Sequence, residues 1–131
     1  MIFLDTVGLI ALWNKNDQWH AAASAVFQSL TSVTPRVVTT SYVLLECAND
    51  AARRPYRDDV VRLRDDLDSA GDLIEPTAGE IEQAWNEYRR GTPGSPGVVD
   101  LISFAVMRRL GITDAFTHNS HFTVAGFTTL F

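Results

Sequence analysis

Apolar and polar positions fall in blocks along the chain, and the blocks read as short strands handing over to helices. Met1 to Leu4 is an apolar run that stops at Asp5, which predicts a buried strand. Thr6 to Asn14 (TVGLIALWN) then carries apolar residues at helical spacing. A second helix is predicted from Asp17, as its N-cap, to about Leu30, where Ala22, Ala25, Val26 and Leu30 recur on one face. Ser32 to Arg36 contains Pro35 and reads as a loop. Val37 to Thr39 is β-branched and predicts a second strand, with a helix from Ser41 to about Ala52 behind it and Pro55 beyond its end. Tyr56 to Ala70 mixes Val60, Val61, Leu63 and Leu67 with many charges, the pattern of an exposed helix, and Gly71 closes it. Leu73 to Glu75 predicts a third strand. Thr77-Ala78-Gly79-Glu80 has the form of a capping box opening a helix to about Arg90. Gly91 to Gly97 (GTPGSPG) cannot hold regular structure. Val98 to Leu110 is the most apolar helix and ends at Gly111. Ala115 to Thr117 predicts a fourth strand, and Thr128 to Phe131 a fifth.

Strands alternating with helices at these intervals predict an α/β fold, a parallel sheet with helices on both faces. The 131 residues make a single domain, 1–131, with no internal repeat and no dividing linker. Sixteen Asp and Glu against eleven Lys and Arg give a formal charge of −5. That argues against nucleic-acid binding through a broad basic face alone, because such binding rests mainly on cations meeting phosphates. A nucleic-acid enzyme whose positive charge arrives as bound metal remains compatible with it. The single cysteine, Cys47, leaves no internal disulfide and no thiolate zinc cluster, and suits a reducing compartment. No apolar run approaches membrane-spanning length, and the opening MIFLDT lacks a basic leader. A cytoplasmic location is expected.

Three acids stand where acids do not usually stand. Asp5 follows Ile2-Phe3-Leu4 at the end of the first strand. Glu46 lies inside Val43-Leu44-Leu45-Glu46-Cys47-Ala48, and Asp100 inside Val98-Val99-Asp100-Leu101-Ile102. A buried, unpaired carboxylate costs several kcal/mol, so each needs a partner or an opening to water. Each has a plain structural role open to it. Asp5 can cap the helix that follows, Glu46 can share a polar stripe with Asn49 and Asp50, and Asp100 can accept from amides at its helix start. Together they point further, because open parallel sheets gather ligands at the carboxyl ends of their strands. Acids facing one another there repel, and a hard divalent cation with oxygen ligands, such as Mg²⁺ or Mn²⁺, relieves the repulsion.

Other candidates carry less. His118 and His121 have no third ligand to make a zinc site with them. Cys47, among apolar neighbours, reads as an inert core thiol. The pairs Arg53-Arg54, Arg89-Arg90 and Arg108-Arg109, with Arg57, lie toward helix ends, where they either complement helix dipoles or meet phosphates. Asp65, Asp66 and Asp68 form a solvated face. The glycines of GTPGSPG do not follow a phosphate-loop pattern.

Four blocks in order resemble the PIN domain family and, within it, the VapC-like ribonuclease toxins of toxin–antitoxin pairs. They are Ile2-Phe3-Leu4-Asp5-Thr6 followed by Asn16-Asp17-Gln18-Trp19-His20; Thr40 to Glu46; Val98 to Gly111; and Ala115 to Phe122 with Ala125-Gly126-Phe127. The resemblance runs end to end, although Arg53 to Gly97 adds little to it. It implies a three-layer α/β/α sandwich around a mostly parallel sheet and metal-dependent cleavage of RNA phosphodiester bonds. Asp5 and Asp100 would hold Mg²⁺ or Mn²⁺, Glu46 would ligate it or orient water, and Asn119 would complete the catalytic set. A homodimer and a small antitoxin protein that blocks the pocket are implied as well. The chain departs from the family twice. The family's closing acid falls on the amide Asn119, and the hydroxyl residue often found shortly before the third acid falls on Gly97. These departures keep an alternative open: a catalytically weakened or inactive PIN-like module that binds RNA or a protein partner. A phospho-acceptor receiver domain does not fit, since it needs a late lysine and the only lysine is Lys15.

Overall fold

A computed structural model of the chain describes residues 1–131. Five strands form one sheet: β1 (Ile2–Leu4), β2 (Val37–Thr40), β3 (Leu73–Ile74), β4 (Asp114–Phe116) and β5 (Thr128–Thr129). Seven helices connect them: α1 (Thr6–Trp13), α2 (His20–Val33), α3 (Ser41–Ala51), α4 (Arg57–Ala70), α5 (Ala78–Arg90), α6 (Val98–Leu110) and α7 (Ser120–Val124). The strand order is β3-β2-β1-β4-β5, and every pairing is parallel. The expected three-layer α/β/α sandwich is present. Parallel strands need crossover connections: the helix pairs α1–α2, α3–α4 and α5–α6, each packed together, join β1 to β2, β2 to β3 and β3 to β4, and α7 joins β4 to β5. No helix is long and apolar enough to cross a membrane.

All three residues of β1 are buried, as expected of a strand covered on both faces. It sits at the centre, with Ile2 and Phe3 in register with Val37 and Val38 on one side and with Asp114 and Ala115 on the other. The core gathers Phe3, Leu4, Val38, Ala115 and Phe116 from the strands with Leu9, Val43, Cys47, Phe104 and Met107 from the helices. Sequence order advances outward from β1 to β2 to β3, then reverses across β1 to β4. The reversal opens a crevice beyond the carboxyl ends of β1 and β4, the place where such sheets bind ligands.

Two local features shape that crevice. Gly8 lies in α1 where a Cβ would overlap the carbonyl oxygen of Phe116. Its missing side chain therefore lets α1 begin hard against the end of β4. On the other side, Phe104 of α6 meets Phe122 edge-on at 4.9 Å and Phe127 at 5.5 Å between ring centres. This cluster seats α7 against α6.

The predicted elements are all present, with changed boundaries. Asp17 does not cap α2, which starts at His20 with Trp19 as its N-cap residue. Its carboxylate instead accepts from the Trp19 N–H at 2.8 Å within a turn, a use locally indistinguishable from a cap. The strand expected over Ala115–Thr117 begins one residue earlier and releases Thr117. The capping box of α5 forms as expected, Thr77 and Glu80 bonding reciprocally. α7, only five residues long, was not anticipated from the pattern.

Candidate active site

Asp5 is the first residue beyond β1 and the N-cap of α1, accepting from the Val7 N–H at 3.4 Å. The capping role and the site role thus coexist. It is 2% exposed. Thr117, the first residue beyond β4, donates its hydroxyl to Asp5 Oδ2 at 2.8 Å. The same hydroxyl accepts from the Asn119 N–H at 3.1 Å, so it turns the chain from β4 into α7. Burial pushes the Asp5 carboxyl up to about 7, the neighbouring Asp100 charge adds to the rise, and the Thr117 hydroxyl opposes it.

Asp100 lies in the first turn of α6, where the helix dipole favours a carboxylate. Its Oδ2 faces the side-chain amide nitrogen of Asn119 at 3.4 Å and Nδ1 of His121 at 3.4 Å. Burial still holds its carboxyl above the usual range against these partners. Glu46 projects from the middle of α3, and Thr6 of α1 donates to its Oε1 at 2.6 Å. Burial raises this carboxyl too, with Thr6 lowering it and Asp100 raising it.

Asn119 caps α7 with its amide oxygen, which accepts from the His121 N–H at 3.0 Å. The amide nitrogen is therefore the end that faces Asp100. Asp114, the nearest preceding acid, starts β4 opposite Ile2, at the far end of the strand from this crevice. Four predicted residues, Asp5, Glu46, Asp100 and Asn119, thus converge, and Asp114 does not join them.

The arrangement is not a closed cage, for no three His, Cys, Asp or Glu side chains are grouped to hold one ion between them. The donor chemistry nonetheless suits a hard divalent cation. Each acid has one oxygen engaged by a neighbour: Oδ2 of Asp5, Oε1 of Glu46 and Oδ2 of Asp100. The second oxygen of each carries no side-chain hydrogen bond. Carboxylates and hydroxyls with no thiolate among them are ligands for Mg²⁺ or Mn²⁺.

Three of the remaining sequence candidates, Cys47, Arg108 and Arg109, resolve into structural roles. Cys47 is fully buried and its thiol is pushed far up by burial, so it is inert as a nucleophile. Arg109 pairs with Glu80 at 3.0 Å, and Arg108 lies over the rings of Phe104 and Phe127. Both stand at the end of α6 opposite Asp100. Thr117 and His121, by contrast, hold the acids in place, a role the sequence alone did not assign to either. A hydroxyl residue directly after the apolar pair Ala115-Phe116 was the available signal for Thr117.

A parallel sheet in this order, with carboxylates gathered at its reversal point, is the architecture of a PIN domain. The chain belongs to the PIN domain family, whose model matches residues 2–127. It is similar to the 23S rRNA-specific endonuclease VapC20 of Mycobacterium tuberculosis (strains CDC 1551 / Oshkosh and ATCC 25618 / H37Rv). The identity is 35% over 128 residues, covering 97% of this chain and 95% of the relative. The crystal structure of VapC20, described as a Sarcin-Ricin loop cleaving toxin, has a TM-score of 0.80 at 32% identity, covering 98% of this chain and 97% of that one. FitAcB from Neisseria gonorrhoeae shares the fold, with a TM-score of 0.63 at 16% identity and coverage of 98% and 97%.

Proposed function

We propose that the chain is a divalent-metal-dependent ribonuclease that hydrolyses RNA phosphodiester bonds and acts as the toxin of a toxin–antitoxin pair. The observation that carries this reading is that Asp5 and Glu46 both lie within electrostatic reach of Asp100, each of the three with an oxygen left without a side-chain partner. The similarity to VapC20, named for cleaving 23S rRNA, supports RNA as the substrate class. Asp5 and Asp100 would hold Mg²⁺ or Mn²⁺, with Glu46 as a further ligand or as the group that orients water. Such an ion, when bound, lowers the pKa of water and offsets charge on the phosphate oxygens.

The chain's own groups have definable tasks in this reading. Thr117 holds Asp5 by one oxygen and so fixes the direction of the other. Thr6 does the same for Glu46. Asn119 presents N–H bonds to Asp100, so its contribution is to orient that carboxylate rather than to add an anion. No side-chain nucleophile is required, since water attacks the phosphorus. The family likeness supports a homodimer and a small antitoxin protein as partners, and the protein would work in the cytoplasm.

One specific feature favours a second reading. Asn119 in place of an acid lowers the negative charge available to a cation, as in a weakened or inactive module that binds RNA or a protein partner. One experiment separates the two. A synthetic hairpin carrying the sarcin–ricin loop, incubated with Mn²⁺, is expected to be cut by the chain and left intact by a folded Asp100→Ala variant. Equal cleavage by both would remove Asp100 from the mechanism, and no cleavage by either would favour the binding module.

A further inference from the structure

Beside the acids lies an aromatic pair that the cleavage chemistry leaves unused. Trp19 and His118 stack with ring centres 4.4 Å apart and planes inclined by 16°. Trp19 nevertheless remains 38% exposed. His118, which also meets Phe131 at 5.6 Å between ring centres, covers part of the indole, and the exposed remainder of Trp19 is what another ring can meet. The pair borders an open groove of about 310 Å³ that Thr6, Asp17 and Gln18 also line, at the small end of the range for ligand clefts.

We infer that Trp19 and His118 form a stacking platform for one unpaired nucleobase of the RNA substrate, next to the cleaved bond. The inference rests on the ribonuclease reading above and adds to it the means of holding the substrate. Three observations carry it. The first is position. His118 stands between Thr117, which bonds Asp5, and Asn119, which bonds Asp100. Thr6 lines the groove and donates to Glu46. The platform's His118 is thus flanked in sequence by the partners of Asp5 and Asp100, and Thr6 links its groove to Glu46.

The second is rigidity. Asp17 fixes the turn before Trp19 through its 2.8 Å bond to the Trp19 N–H. On the other side, His20 Nδ1 lies 2.9 Å from the Ala11 carbonyl oxygen, which ties the segment to α1. An exposed indole held from both sides loses little freedom when a base settles on it. The third is charge. The chain carries −5 overall, sixteen acids against eleven Lys and Arg. Phosphate contacts alone are a weak source of affinity here, whereas stacking on aromatic faces works regardless of net charge. Gln18, exposed and without a hydrogen bond from its side chain, can meet a base edge.

The test compares two probes. One is a fluorescently labelled 2′-O-methyl octa-adenylate, and the other is an abasic 2′-O-methyl octamer of the same length. Anisotropy titrations are run on the full chain, Trp19→Leu and Trp19→Phe, with probe integrity checked on gels. The sarcin–ricin hairpin cleavage assay is run in parallel. Trp19→Leu is expected to weaken octa-adenylate binding about tenfold or more, from the stacking lost. It should leave the abasic probe unchanged, and Trp19→Phe should retain most of the affinity. Equal losses on both probes would assign Trp19 a role in shaping the site and overturn the platform. Unchanged octa-adenylate binding in Trp19→Leu overturns it too, including where that variant has lost binding to a co-expressed protein inhibitor. In both cases, hairpin cleavage by the parent keeps the ribonuclease reading intact. A parent that neither cuts the hairpin nor binds either probe overturns both. Should Trp19→Leu not fold, the parent decides alone: equal affinity for the adenine and abasic probes means that no base rests on Trp19.

Discussion

Replacing Asp5 by Asn should make the metal-free protein more stable, and by an amount that depends on pH. Burial lifts this carboxyl from its ordinary 3.8 to about 7. The folded pKa lies above the unfolded one, so the folded state holds the proton more tightly. Stability from this group is fully present below about pH 4 and is lost as pH rises through 7, after which the loss is constant. The gap corresponds to about 4 kcal/mol, at roughly 1.4 kcal/mol per pH unit. The substituted amide would be neutral throughout and would escape that decline. It still offers an amide oxygen to the Thr117 hydroxyl and the Val7 N–H. The weaker acceptor gives back about 1 kcal/mol, which leaves a net gain of about 3 kcal/mol at pH 8. For a domain of this size that is a rise in Tm of roughly 10 °C.

The assay is thermal or urea denaturation of both proteins in chelator, at intervals from pH 4 to pH 8. Asp5→Asn should start about 1 kcal/mol below the parent near pH 4, from the weaker acceptor, and pull away steadily until about pH 7. With saturating Mn²⁺ the gap should narrow or reverse, because a cation bound to the folded parent stabilises it by mass action. Equal stabilities at pH 8 would show that Asp5 is not a destabilising buried carboxylate. A gain that stays constant across the pH range would refute the ionisation argument, since it would mean that shape rather than charge sets the difference.

Three further substitutions probe the frame around the acids. Gly8→Ala should cost about 3 kcal/mol or more, read as a lower urea midpoint, because the added methyl meets the backbone of Phe116 rather than a movable side chain. Thr6→Val removes the donor that lowers the Glu46 carboxyl. Cleavage should fall, and the acidic limb of the rate–pH profile should move to higher pH; an unmoved limb would detach Glu46 from the rate. Asn119→Asp turns an N–H donor toward Asp100 into a second anion. It should tighten Mn²⁺ binding in calorimetry while lowering the Tm in chelator, and equal metal affinity would set Asn119 outside the metal's surroundings.

Much of this site was legible because acids inside apolar runs are anomalous. Asp5, Glu46 and Asp100 stood out for that reason, and the strand–helix alternation said which end of the sheet they share. What stayed hidden depends on distance along the chain. Thr117 reads as one more β-branched strand residue, yet its hydroxyl serves a carboxylate 112 positions away. Trp19 and His118 are likewise ordinary in their own neighbourhoods, and only the fold stacks them. Asp17 shows a different limit, since a turn and a helix cap use the same local chemistry. α7 is too short for periodicity to register, and so the orientation of Asn119 at its cap could not be read from the residue type.

The acids pose a physical question that the structure answers in part. A buried Asp5, a half-buried Asp100 and the more open Glu46, with Asp100 in electrostatic reach of the other two, need compensation, and the sequence pointed to a shared cation as the source. The fold supplies a separate arrangement: Thr117 for Asp5, Thr6 for Glu46, and Asn119 with His121 for Asp100. The first turns of α1 and α6 add favourable backbone dipoles at Asp5 and Asp100. This compensation is incomplete, because all three carboxyls remain above their ordinary range. The residual cost is what favours a cation. An anionic pocket fully satisfied by its own donors would gain little from Mg²⁺ or Mn²⁺, and one with no donors would not fold. Partial satisfaction, one oxygen held on each acid and the other left over, lets the chain fold first and keeps a driving force for binding the metal afterwards.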